Sequence, residues 1–151
     1  MVSGQNDANV IVIAPVATSG SATKFASFDA AGFGYCEIDV MSGAFSADMP
    51  TVLNIADCDT TTTASFVTIT GGSATSSFTT TTFENSMTKF QIDLRKRKRY
   101  IALNLTMGTT TGVIAAVARL SRAANSRDTA ATQSVVRTGN TVVAVNAIVQ
   151  V

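Results

Sequence analysis

Alternation of apolar and polar residues, renewed along the chain with no competing period, confines this sequence to β-structure. Over residues 35–41, Cys36, Ile38 and Val40 fall on one side while Tyr35, Glu37 and Asp39 fall on the other. Over 89–94, Phe90, Ile92 and Leu94 alternate with Lys89, Gln91 and Asp93. Over 100–106, Ile101, Leu103 and Leu105 alternate with Tyr100, Ala102 and Asn104. Successive side chains of a strand point to opposite faces, so this period predicts strands with one buried and one solvated face. Shorter β-rich runs cover 10–13, 51–56, 65–70, 77–80 and 141–149. Residues 112–120 are rich in alanine, a good helix former, but the space between the preceding Thr/Gly turn and Ser121 is too short for a typical helix. That segment is therefore read as a buried strand.

The punctuation agrees. Gly32, Gly34, Gly43, Gly71, Gly72, Gly108 and Gly139 stand between the runs as turn signals. Many short strands at this spacing predict an all-β fold, an antiparallel sandwich or barrel. Threonine blocks at 60–63, 79–82 and 109–111 fit solvated strand faces, where the methyl packs and the hydroxyl stays wet. No internal repeat of solenoid length is visible. The expected organisation is a flexible tail over 1–9, a sandwich domain over 10–120, and a connector with a terminal strand over 121–151. An apolar last strand is a pairing edge unless it is covered. The long connector lets it dock at home or exchange with a neighbour.

Composition narrows the chemistry. The 151 residues contain no histidine and no tryptophan, and only 14% are charged. Without histidine there is no His-based triad, no His-ligated metal and no imidazole base. Two cysteines, Cys36 and Cys58, cannot build a four-thiolate zinc site, and they are expected to be free thiols in a reducing compartment. Asp48, Asp57 and Asp59 offer oxygens for Ca²⁺ but fall short of a recognisable ligand loop. Asn104-Leu105-Thr106 matches a glycosylation sequon by chance, inside a predicted strand. No cofactor, no metal and no enzymatic activity are expected. The longest apolar stretches, 10–14 and 113–118, fall far short of the ~20 residues of a spanning helix. No basic, then apolar, secretory leader is visible either.

The few charges are unevenly placed. Up to residue 92, eight acids stand against two bases, a formal −6; from 93 onward, nine bases stand against two acids, a formal +7. If the fold kept these signs apart, copies or partners would meet through complementary patches. Five of the bases are consecutive: Arg95, Lys96, Arg97, Lys98 and Arg99. Nucleic-acid modules interleave such groups with stacking aromatics, and only Tyr100 adjoins here. The run is therefore read as a turn between two strands that docks on an acidic protein surface, with nucleic acid not expected as the partner.

Lys98-Arg99-Tyr100, the alternating strand after it, the turn Thr109-Thr110-Thr111-Gly112 and the Val/Ala strand to Leu120 resemble a pattern in small virion proteins of tailed bacteriophages. The stretch Gly34-Tyr35-Cys36-Glu37-Ile38-Asp39-Val40 and the short Ser77-Phe78-Thr79-Thr80 are similar to earlier segments of that group. Head decoration, or cement, proteins are among them. The resemblance implies a jelly-roll-like sandwich with extended N- and C-terminal arms that sits on the outer capsid surface and clamps neighbouring subunits. It also implies the major capsid protein as partner, a homo-oligomer on the lattice, no membrane, and synthesis in the host cytoplasm. The contact elements would be Arg95, Lys96, Arg97, Lys98 and Arg99, the tail over 2–9 and the strand over 141–151. A head–tail or tail component is the alternative, as is a carbohydrate- or receptor-binding module, for which the missing Trp leaves a poor aromatic platform.

Overall fold

The computed structural model describes residues 7–45, 50–74, 84–108, 111–122, 134–136 and 142–150. In chain order the strands are β1 (Asp7–Thr18), β2 (Thr23–Asp29), β3 (Tyr35–Phe45), β4 (Val52–Cys58) and β5 (Val67–Ser73). They continue with β6 (Ser86–Asp93), β7 (Tyr100–Thr106), β8 (Gly112–Ser121), β9 (Ser134–Val136) and β10 (Val142–Gln150). Among the described residues the helical content is two short 3₁₀ turns, Thr63–Ser65 and Leu94–Lys96, and no helix is long and apolar enough to cross a membrane.

The pairing is nested. β1 lies antiparallel to β8, β2 to β7, β3 to β6 and β4 to β5, while β3·β8 and β4·β7 contacts stitch the rolled ribbon into two sheets. One sheet runs β1-β8-β3-β6-β10-β9 and the other β2-β7-β4-β5. Eight strands paired first-with-last and rolled into two facing sheets make a jelly-roll sandwich.

The alternation sets which side is buried. Cys36, Ile38 and Val40 of β3, Phe90 and Ile92 of β6, and Ile114, Ala116, Ala118 and Leu120 of β8 point inward from the first sheet. Leu53 and Ile55 of β4 and Ile101, Leu103 and Leu105 of β7 meet them from the second. The alanine-rich segment is a strand, as read. Its inward Ala118 and Ala116 lie beside Ile38 and Val40 of β3 in the register, small residues next to large ones in one buried layer.

Four features depart from the sequence reading. β1 already pairs at Asp7, so residues 7–9 belong to the sheet, not to a tail. β1 also carries register shifts around Ile13, which bury Ile13 and leave Ile11 71% exposed. Pro15 is tolerated there because β1 is an edge strand. β2 was not foreseen, because its inward row is Lys24, Ala26 and Phe28, and of these Phe28 alone is a large apolar residue. β10 pairs with β6 in parallel, the one non-antiparallel pairing described, where an antiparallel sandwich was expected; its place on its own chain is one of the two that the sequence leaves open. The run expected at 77–80 lies outside the described residues.

Candidate functional site

The basic run forms the connection between β6 and β7. Leu94 is buried and donates its backbone N–H to the Gly34 carbonyl at 3.0 Å, tying the 3₁₀ turn to the β2–β3 loop. Asp93 closes the turn by accepting from the Arg95 backbone N–H at 3.1 Å. It also accepts the Arg95 side chain in a fork, with Nε–Oδ1 at 2.8 Å. The guanidinium and the backbone N–H hold the Asp93 carboxyl down to about 2. At the other end of the run, Arg99 forks onto Asp29 through Nε at 3.1 Å and Nη2 at 2.7 Å, lies 5.1 Å over the Tyr100 ring, and lowers the Asp29 pKa.

The five bases therefore divide by role. Arg95 and Arg99 are rivets of the loop, each matched by a carboxylate in two-point geometry. Lys96 and Lys98 are exposed and form no ion pair among the described residues, and Arg97 is half-buried between them with its Nε lacking a hydrogen-bond partner. The three central cations are the part of the run available to a partner.

Chain geometry converges on the same end. Asp7 pairs with Ser121, Tyr35 with both Ser121 and Asp93, and Gln150 with Gln91. The start of β1, the end of β8 and the end of β10 thus all lie beside the basic turn. Of the expected contact elements, the basic run and the C-terminal end of the strand over 141–151 come together. The tail lies there as far as Asp7, and residues 1–6 fall outside the described residues.

Among the described residues the charge halves do not form opposed patches. Asp29 meets Arg99, Glu37 meets Arg119, and Lys89 lies 3.9 Å from Glu37 and 3.7 Å from Asp39. Nested pairing places an early strand beside a later one, so Asp29 and Glu37 face Arg99 and Arg119 of the basic half, and Asp39 faces Lys89, one of the two bases before residue 93. Glu37 is on the outward side of β3 but only 3% exposed, covered by Arg119, Lys89 and the Gln91 amide at 3.4 Å. Its neighbour Asp39 has its pKa raised, because burial outweighs the pull of Lys89 and Glu37 adds repulsion.

The cysteines are both free. Cys36 is in the core, where burial pushes its thiol far up. Cys58 ends β4, 4% exposed, and the Thr60 hydroxyl and backbone N–H, 3.5 and 3.4 Å from its sulfur, lower its pKa. Among the described residues no three His, Cys, Asp or Glu side chains group to hold a metal ion; Asp48 lies outside them. Asn104 sits in the middle of β7, as the sequence reading placed it.

Sequence reasoning missed a cleft of about 270 Å³ on the outer face of the second sheet, lined by Phe25, Phe66, Asn54, Asn104 and several threonines. Its residues are scattered over four segments, and only the strand register unites them. No local signal pointed there, because β2, the strand that carries Phe25, is itself not legible from its period. No family model matches the chain, and no curated protein or solved structure matches it.

Proposed function

We propose that this chain is a structural, non-enzymatic virion component that binds the outer surface of a phage capsid through the basic end of its sandwich and clamps neighbouring shell subunits. The observation that carries the reading is the division of the basic run. Two arginines are spent on holding the loop, and Lys96, Arg97 and Lys98 are presented beside the points where the chain enters and leaves the sandwich. The resemblance over residues 34–120 to small phage virion proteins supports the identity of the surface, and the jelly-roll topology agrees with it.

The mechanism is linkage. A protein that binds the assembled shell and not its free subunits stabilises the shell by about 2.7 kcal/mol per site at roughly a hundredfold over Kd. Repetition over a lattice turns weak individual contacts into strong attachment by avidity. The major capsid protein is the partner, an acidic patch on it is the surface, and the copies act as a lattice-bound homo-oligomer.

The copy number in purified particles tests this. A number equal to, or a simple fraction of, that of the major shell protein is expected, whereas a handful of copies would assign the chain to the tail. The double variant Lys96→Ser/Lys98→Ser leaves both arginine rivets intact and should lose occupancy on shells, with a weaker salt dependence of binding. Unchanged occupancy would remove the basic end from the interface.

A further inference from the structure

The cleft on the second sheet is built for a neutral ligand. Phe25 of β2, Asn104 of β7 and Asn54 of β4 are directly paired in sequence across three adjacent strands, so they form one row on the outer face. Phe66, which follows the 3₁₀ turn in the β4–β5 connection, folds over this row and meets Phe25 edge to face, with ring centroids 5.2 Å apart. Thr63 and Thr68 line the mouth and are exposed. Among the described residues no ionisable side chain lines the cleft. What this lining offers a ligand is amides, hydroxyls and ring faces.

Asn54 adds a specific demand. Its Oδ1 is covered and accepts no hydrogen bond. Buried acceptors are nearly always satisfied, and a turn of the Asn54 amide toward the cleft would bring this oxygen within reach of a donor there. A ligand hydroxyl entering between the two asparagines would supply the missing donor, while the amide N–H groups would donate back to it. The required ligand has hydroxyls around its edge, an apolar C–H face for the rings and no charge. We infer that the Phe25–Asn104–Asn54 row with Phe66 binds a pyranose unit of a neutral glycan. The cleft volume of about 270 Å³ lies just below the range of ordinary small-molecule pockets, about 300–1,000 Å³, so one ring is held and the rest of a chain lies outside.

This site is separate from the basic end, and its test needs no capsid. Glucose, galactose, mannose, N-acetylglucosamine and short oligomers of each are titrated into the ¹⁵N-labelled full chain and followed by NMR. At least one should shift the Asn54 and Asn104 side-chain amide signals at millimolar concentration, independently of salt. Phe66→Ala should weaken that binding by about tenfold or more through loss of one stacked ring. Thr68→Arg, an exposed substitution that fills the mouth without touching the core, should abolish it, and Lys96→Ser/Lys98→Ser should leave it unchanged. The assignment is overturned if none of these sugars moves the two amides, or if binding survives Thr68→Arg. Shifts produced only by peptides or anionic sugars would equally overturn it.

Discussion

The Glu37–Arg119 pair gives the sharpest test of how this sandwich handles charge. Glu37 is 3% exposed and Arg119 57% exposed, so the two partners differ in what each leaves behind when the other is removed. Replacing Arg119 with Met keeps a long aliphatic stem over the sheet and deletes the guanidinium. The Glu37 carboxylate then retains Lys89 at 3.9 Å and the Gln91 amide at 3.4 Å, both long contacts. Stranding a fully buried ion costs about 3–5 kcal/mol, and solvent around Arg119 together with the remaining Lys89 reduces this to about 1.5–2.5 kcal/mol. Replacing Glu37 with Met instead leaves Arg119 free to turn to water and Lys89 beside Asp39 at 3.7 Å, so a change within about 1 kcal/mol is expected. The double variant should match Glu37→Met, giving a coupling equal in size to the Arg119→Met loss, about 1.5–2.5 kcal/mol. Urea unfolding followed by circular dichroism reads all four proteins. With a slope of about 2 kcal/mol/M, Arg119→Met should lower the midpoint by about 1 M relative to wild type. An Arg119→Met variant no less stable than Glu37→Met, or a cycle that is simply additive, would refute the view that burial of Glu37 is what makes this pair matter.

Three further outcomes follow from the same geometry. Asp39 has a raised pKa in the fold, so its ionisation opposes folding: the penalty is absent below the ordinary value of 3.8 and grows as pH rises through the folded-state value. Asp39→Asn should therefore raise the melting temperature at pH 7 and leave it unchanged near the acid end, and a loss of stability at pH 7 would mean that Lys89 attraction outweighs burial. A Cβ on Gly112 would sit inside the Phe45 ring, so Gly112→Ala should cost about 1–3 kcal/mol by thermal melting. Adding Phe45→Ala should recover part of that loss, and no recovery would place the clash elsewhere. Iodoacetamide followed by mass spectrometry should label Cys58, whose thiol Thr60 activates, well before the core thiol of Cys36. Equal rates would show that the sheets open together.

What the sequence disclosed and withheld divides along the line between local and long-range information. Each strand that buries a full row of large residues, such as Ile101, Leu103 and Leu105, was legible from its period alone, because burial on one face imposes that period. β2 was not legible, because its edge position lets Lys24 share the inward row with Phe28. The basic run was read correctly as a turn between two strands. The separation of Arg95 and Arg99 from the three central cations was not readable, since it depends on Asp29 lying seventy residues away in the chain and beside Arg99 in space. The cleft was invisible for the same reason: Asn54 and Asn104 are ordinary strand residues until register makes them neighbours.

The linear segregation of charge changes its meaning once the pairing is known. The residue numbers of paired partners add to 128–130 in β1·β8, to 128 in β3·β6, to 129 in β2·β7, and to 124–127 in β4·β5, the spread coming from the register shifts. The sandwich is thus one long hairpin, mirrored near residue 64, that has been rolled up. Up to residue 64, seven acids stand against one base; over 65–122, eight bases stand against two acids, giving formal charges of −6 and +6. In a fold with sequential hairpins such a division would set like charges on neighbouring strands. In a nested hairpin it sets opposite charges across from one another, as at Asp29–Arg99 and Asp39–Lys89. Each such pair is worth little in stability when exposed. Their common direction, however, disfavours pairings among the early strands alone, where acid would face acid. Charge segregation about the midpoint of a β-rich chain therefore bears on topology, and a sequence that carries it is better read as a nested roll than as two opposed surfaces.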